Sequence, residues 1–325
     1  MRFRVLAALL LSVLTLGAAP YDPLKVPEAK IDTKTFEVKD AKRDRAIPVR
    51  VYLPATAKPA PVILFSHGLG GSRDNNPYLG NHWAGRGYVV VFVQHAGSDE
   101  AVWKGAPVIG RMAELKKAAS LENLTARGKD IPAVIDALTA WNADKTHPLH
   151  DRLDLAHLGM SGHSFGAVTT QAVSGQTYPL GGMSFLEPRI KASVMMSPSP
   201  PAMGDPAKAF ASIKVPCLLM TGTGDTSPIG NTSAEDRLKV FPNLKSAPAW
   251  QVVFDKGVHM TFGERDLLGA APKDPRYHRA ILALTTAFWD TELKGDKDAK
   301  AWLNGSGAKA VLIPADKWEK NAKAE

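Results

Sequence analysis

Cysteine is nearly absent: 325 residues contain one, Cys217. An intrachain disulfide is therefore excluded. Cys217 lies in the apolar run 215–220, where a small buried hydrophobe is expected rather than a reactive thiol. Long apolar runs are equally scarce. Residues 5–16 are predominantly apolar, a stretch too short to span a bilayer comfortably. There is no low-complexity tract, no evident internal repeat and no basic stripe interleaved with aromatics, so a nucleic-acid partner is not expected. Paired histidines at zinc-helix spacing, a phosphate loop ending in Lys-Ser/Thr and a dinucleotide fingerprint are all missing, and no metal or cofactor is implied.

What is present is an ordinary globular composition, 45% hydrophobic and 22% charged. A chain of this length can bury about three quarters of the surface its unfolded form exposes. The net charge is +8, and its lysines are spread out, which reads as a solvated basic surface with salt-sensitive attraction to anionic surfaces. Arg2 and Arg4, then the apolar run, then Gly17-Ala18-Ala19 have the layout of an export signal. The expectation is a signal peptide over residues 1–19 and a single domain over 20–325. An uncleaved N-terminal anchor is the alternative. The mature protein is expected to be soluble, with no integral membrane segment, and periplasmic or secreted; a missing disulfide fits a bacterial route. Its oligomeric state is not legible.

Hydrophobic patterning sets the fold class. Residues 35–38 and 47–53 alternate as a paired antiparallel hairpin would. Residues 61–65, 88–93, 158–160, 192–196, 217–220 and 250–254 are continuous apolar runs, the mark of strands buried on both faces of a parallel sheet. Helical stretches alternate with them at 76–86, 124–141 (with Pro132 placed to start or kink a helix) and 277–293. The prediction is a doubly wound, mostly parallel α/β sheet with an antiparallel N-terminal hairpin, continuous from about residue 33 to 293.

One of those runs ends in Gly162-His163-Ser164-Phe165-Gly166 and is followed by a helix-like stretch, 167–174. Gly-x-Ser-x-Gly between a strand and a helix is what a nucleophile elbow needs. The turn is sharp and strained, the glycines leave room for it, and the helix N-terminus points where negative charge develops. A serine needs a base, and the base an orienting acid. In chain order serine, acid, histidine, Asp225 follows the run ending at Met220, in a loop shaped by Gly222, Gly224 and Pro228, and His259 follows the last apolar run. A turn aspartate and a surface histidine are the bland alternatives. The glycine-rich segment Ser66-His67-Gly68-Leu69-Gly70-Gly71 follows the first buried run. The oxyanion donors are assigned to the amides of Leu69 and Phe165, with His67 bracing the loop.

With these residues in place the chain resembles the α/β-hydrolases, and within them the platelet-activating-factor acetylhydrolase-like and dienelactone-hydrolase-like esterases. The resemblance rests on residues 65–71, on Val93-Gln94-His95-Ala96-Gly97-Ser98-Asp99 and on residues 162–166, and spans about residues 35–293. It implies a serine carboxylic-ester hydrolase working through an acyl-enzyme, on small or polymeric esters of short to medium acyl chains. Dienelactone hydrolases proper use a cysteine nucleophile; Ser164 departs from this, so their substrate does not carry over. A serine peptidase or amidase, a phospholipid acetylhydrolase and a non-catalytic binding protein of the same fold remain alternatives. His95, Trp103 and His163 are the substrate-side candidates, with a rigid turn around His95, core packing of Trp103 and packing of His163 under the serine as the alternatives. Met112, Tyr178, Met183 and Phe185 are placed in insertions that either roof the cleft or pack in the core.

Overall fold

The computed structural model describes residues 20–28, 30–179, 183–227, 229–264 and 274–324. The expected leader, residues 1–19, lies outside them. A nine-stranded sheet organises the described residues, in the order β1-β2-β4-β3-β5-β6-β7-β8-β9. The strands are β1 (Asp32–Asp40), β2 (Arg45–Leu53), β3 (Ala60–Ser66), β4 (Val89–Val93), β5 (Leu153–His163), β6 (Ile190–Met196), β7 (Cys217–Gly224), β8 (Ala249–Val258) and β9 (Lys317–Lys320). The helices are α1 (Pro77–Gly85), α2 (Arg111–Ala118), α3 (Leu121–Ala143), α4 (Phe165–Val173), α5 (Pro206–Phe210), α6 (Ala234–Arg237), α7 (Pro275–Lys294), α8 (Lys297–Asn304) and α9 (Ser306–Ala310).

β1 and β2 form the antiparallel hairpin, and β2 runs antiparallel to β4. From β4 through β3, β5, β6 and β7 to β8 every pairing is parallel. These inner strands are continuous apolar runs because helices cover both faces. Trp83 of α1 and Phe288 and Trp289 of α7 fill one face against Ile63, Phe65 and Val194. Ile131, Val134, Ile135 and Leu138 of α3 fill the other against Val62, Leu64 and Met160. Burying each such side chain contributes about 1.5–3 kcal/mol relative to exposure.

Local chemistry sets the ends of the long helices. The Ser120 hydroxyl accepts from the Asn123 amide at the start of α3, and Asp274 accepts from Arg276 at the start of α7. α7 ends at Gly295, whose φ of 65° is left-handed. α3 runs through Pro132 without a break; its apolar face is held on the sheet, and tertiary packing outweighs the lost hydrogen bond. The sheet also extends past the expected boundary. β9 pairs antiparallel with β8 through Lys317 to Lys320. It has no apolar run to announce it, being a short lysine-bearing edge strand with only Trp318 partly buried.

Candidate active site

The parallel strands end along one edge, and the candidate residues come from the loops that follow them. β5 pairs its last residue, His163, with Met196 of β6, and the chain then turns at Ser164. Ser164 has φ 57° and ψ −118°, a costly backbone for a residue with a side chain. Two close approaches hold it there. A Cβ on Gly162 would strike the backbone of Gly166, and a Cβ on Gly166 would strike the carbonyl of Ser66. The Ser164 amide donates to Met196 O at 2.9 Å, and α4 begins at the next residue. The hydroxyl stands at a half-buried position.

β7 and β8 supply the other two side chains by the same geometry. Gly224 of β7 pairs with Val258 of β8, so Asp225 and His259 are the next residues on neighbouring strands. The strands can close up here because a Cβ on Gly222 would run into the Gly257 backbone. His259 Nδ1 lies 2.8 Å from Asp225 Oδ1, and His259 Nε2 lies 2.8 Å from Ser164 Oγ. Asp225 is fully buried and His259 is partly exposed, 18% by side chain. In this arrangement Nδ1–H donates to the carboxylate, leaving the Nε2 lone pair to accept the serine proton.

The acid is braced on all sides. Asp225 Oδ2 accepts from Thr221 Oγ1 at 2.9 Å, and Oδ1 lies 2.8 Å from Arg237 Nε. Burial pushes its pKa up, but the His259 hydrogen bond and the Arg237 charge outweigh this and hold it below the ordinary carboxylate value. Arg237 itself is buried; its Nη1 donates to Ser197 O and Pro198 O, at 2.8 and 3.0 Å. Its Nη2 comes within 3.1 Å of His259 Nδ1. That proton is already given to Asp225, so the contact is electrostatic. Arg237 carried no motif or apolar pattern that would single it out in the sequence.

The loop after β3 faces Ser164 from the other side. Ideal Cβ placement at Gly68 would bring it to 3.4 Å from both Ser164 Cβ and His163 O. Among the described residues, neither the Leu69 amide nor the Phe165 amide is spent on another protein acceptor. The Phe165 amide opens α4, so the helix dipole adds to its positive potential. The arrangement offers a hydroxyl, an imidazole hydrogen-bonded to it, a sealed carboxylate and, among the described residues, two backbone amides not spent on other protein acceptors.

The substrate-side candidates fall elsewhere. His95 is fully buried, with Nε2 on Ser66 Oγ and Nδ1 on Asp130 Oδ2, each at 2.9 Å; it has no free face for a substrate. His163 is buried and its Nε2 bonds the carbonyl of His259 at 2.9 Å, so it supports the base from beneath. Trp103 is partly exposed, but its Nε1 donates to Gly70 O at 2.7 Å, bracing the Gly70 turn from outside. Of the insertion residues, Phe185 packs against Tyr178 and over Gly128 of α3, while Met112 is exposed. A separate cleft of about 480 Å³, lined by Gly222, Thr223, Leu238, Phe241, Gln251 and Val253, contains none of Ser164, Asp225 and His259.

A mostly parallel sheet with an elbow serine, and an acid and histidine after later strands, defines an α/β-hydrolase. Residues 47–106 match the family model for platelet-activating factor acetylhydrolase, isoform II. Over that stretch the chain is similar to the platelet-activating factor acetylhydrolase family, which agrees with the α/β-hydrolase fold. The matched stretch runs from β2 to the segment beyond Trp103, taking in the loop at Leu69 and the turn at His95. No curated protein matches the chain.

Proposed function

We propose that this chain is an exported serine ester hydrolase acting through an acyl-enzyme. The observation that carries the reading is the continuous hydrogen-bonded line from Ser164 Oγ through His259 to Asp225, with both links at 2.8 Å. Ser164 Oγ attacks the ester carbonyl carbon as its proton passes to His259 Nε2. The carbonyl oxygen takes up the negative charge, held by the Leu69 and Phe165 amides. Asp225 stabilises the imidazolium. When the tetrahedral intermediate collapses, the C–O bond to the alcohol breaks and His259 returns the proton to the leaving oxygen. Water then repeats the sequence on the acyl-serine and releases the acid.

The test uses chromogenic acetate and butyrate esters and a fluorophosphonate probe. Wild-type protein labels at Ser164 and turns over; Ser164→Ala loses several orders of magnitude in kcat. Native-rate cleavage by Ser164→Ala, or labelling at another residue, sinks the reading. Export is tested by the mass of the protein recovered from a bacterial periplasm: loss of residues near 1–19 supports it, and full-length retention in the cytoplasm opposes it.

A narrower reading, hydrolysis of a short acyl ester carried on a phospholipid, is favoured by the family match and by a patch on the segment leading from Trp103 into α2. There Val108 is 71% exposed, Ile109 98% and Met112 38%, beside Lys104, Arg111, Lys116 and Lys117. An acetylated phospholipid cleaved faster in vesicles than as a dispersed monomer supports it; activity confined to small soluble esters removes it.

A further inference from the structure

A second serine, histidine and aspartate lie in one hydrogen-bonded line behind the first. Ser66 Oγ is 2.9 Å from His95 Nε2, and His95 Nδ1 is 2.9 Å from Asp130 Oδ2. All three residues are fully buried. Asp130 closes the line with Arg45 Nε and Nη2, at 2.7 and 3.0 Å, and Arg43 Nη1 at 2.9 Å. With Nδ1–H given to Asp130, His95 Nε2 is an acceptor and the Ser66 hydroxyl donates to it. Burial, then the Arg127 charge, push His95 down to about 4, so the ring is neutral near pH 7. Ser66 is fully buried and its hydroxyl is taken up by His95, so it is closed to substrate.

Its place in the chain gives it a different task. Ser66 is the last residue of β3, its carbonyl seats Gly166 of the elbow, and the next residue opens the loop that carries the Leu69 amide. His95 opens the turn that holds that loop from the other side. The His95 amide donates to His67 Nε2 at 3.1 Å, Ser98 O accepts from the Gly70 amide at 2.9 Å, and the Glu100 amide donates to Gly71 O at 2.8 Å. Arg127 of α3 joins turn and loop, donating to Ser98 Oγ at 2.8 Å and His67 O at 2.9 Å. His67, its Nε2 taken as acceptor, turns Nδ1–H onto Gly68 O at 2.6 Å. Replacing a buried charged cluster by apolar groups of equal volume is often neutral or stabilising, so the contribution of these directional bonds lies in where they place the backbone.

We infer that Ser66, His95 and Asp130 form a non-reacting relay that sets the position of the Leu69 amide, making His95 and Ser66 positioning residues for ester hydrolysis. The inference rests on the proposed esterase reading.

The test is steady-state kinetics of the full chain, wild type against Ser66→Ala and His95→Gln, on a chromogenic butyrate ester. Fluorophosphonate labelling counts active sites, and an alkyl boronic acid serves as an oxyanion mimic. The expected result is kcat per labelled site lowered about 10- to 100-fold, KM within about twofold, and boronate affinity weakened by a similar factor. Should His95→Gln fail to fold, Ser66→Ala, the loss of one oxygen atom, decides. Folded variants with wild-type kcat per labelled site and unchanged boronate affinity overturn the relay, as does a loss accounted for wholly by fewer labelled sites. Wild-type protein that neither labels nor turns over removes the esterase reading and this inference together. An active wild type with unaffected variants removes the relay alone.

Discussion

Arg237 Nε lies 2.8 Å from Asp225 Oδ1, and both side chains are sealed from solvent, at 1% and 0% exposure. A buried cation thus shares its carboxylate with His259, whose Nδ1 is 2.8 Å from the same oxygen. The pairing anchors the acid and ties it, through Ser197 O and Pro198 O, to the loop after β6.

Arg237→Gln leaves Asp225 buried with one charge partner removed. Breaking a buried pair from one side costs about 3–5 kcal/mol. The variant is expected to unfold at markedly lower urea concentration, read by circular dichroism, and to hydrolyse esters more slowly. Arg237→Lys does not restore stability, because one ammonium cannot span Asp225, Ser197 O and Pro198 O at once. Wild-type stability in either variant overturns this account.

Asp225→Asn keeps the shape of the acid but removes the charge that stabilises the imidazolium, and it favours the wrong imidazole tautomer. In the serine-protease precedent this substitution costs about 10⁴-fold in kcat. The same order of loss is expected here on a chromogenic butyrate, with KM little changed; a loss under tenfold contradicts the role assigned to Asp225.

Gly166→Ala tests the elbow sterically. The added methyl meets the Ser66 carbonyl, which is backbone and cannot rotate away. The variant is expected to lose stability at the upper end of the about 1–3 kcal/mol typical of overpacking, with activity abolished. Urea midpoints and fluorophosphonate labelling of the same samples check it.

Stability is expected to fall between pH 6.5 and 4. Burial, then neighbouring positive charge, holds His95 down to about 4 and His163 to about 3, and pushes His67 well below its ordinary 6.5. The unfolded chain takes these protons near pH 6.5 and the folded chain does not. The full contribution is therefore present above pH 6.5 and is lost as pH falls, by about 1.4 kcal/mol per pH unit for each histidine. Asp225, held below 3.8, keeps its contribution through this window and loses it only at lower pH. Urea melts at pH 7, 6 and 5 measure the slope, and a flat profile contradicts the burial of these rings as neutral groups.

Much of the frame is readable from local pattern. Continuous apolar runs mark strands covered on both faces, and Gly162 and Gly166 flank a serine because no Cβ fits at either position. Loops that follow successive parallel strands gather at one sheet edge, so the chain order of Ser164, Asp225 and His259 predicts that they meet. β9 left no such trace, since its four residues carry one partly buried tryptophan among charges.

The sequence alone therefore determined the strand and helix alternation, the elbow and the order of its two partners, because periodicity and steric exclusion act over a few residues. Only the tertiary structure decided what surrounds them. Arg237 on α6 and Arg127 and Asp130 on α3 belong to no motif in the sequence, and His95, behind the Leu69 loop, reads along the chain as a substrate-side candidate. Their burial follows from packing between segments tens of residues apart. Once sealed from water, each must find a partner, and those partners are the backbone and carboxylate groups that hold the site in shape.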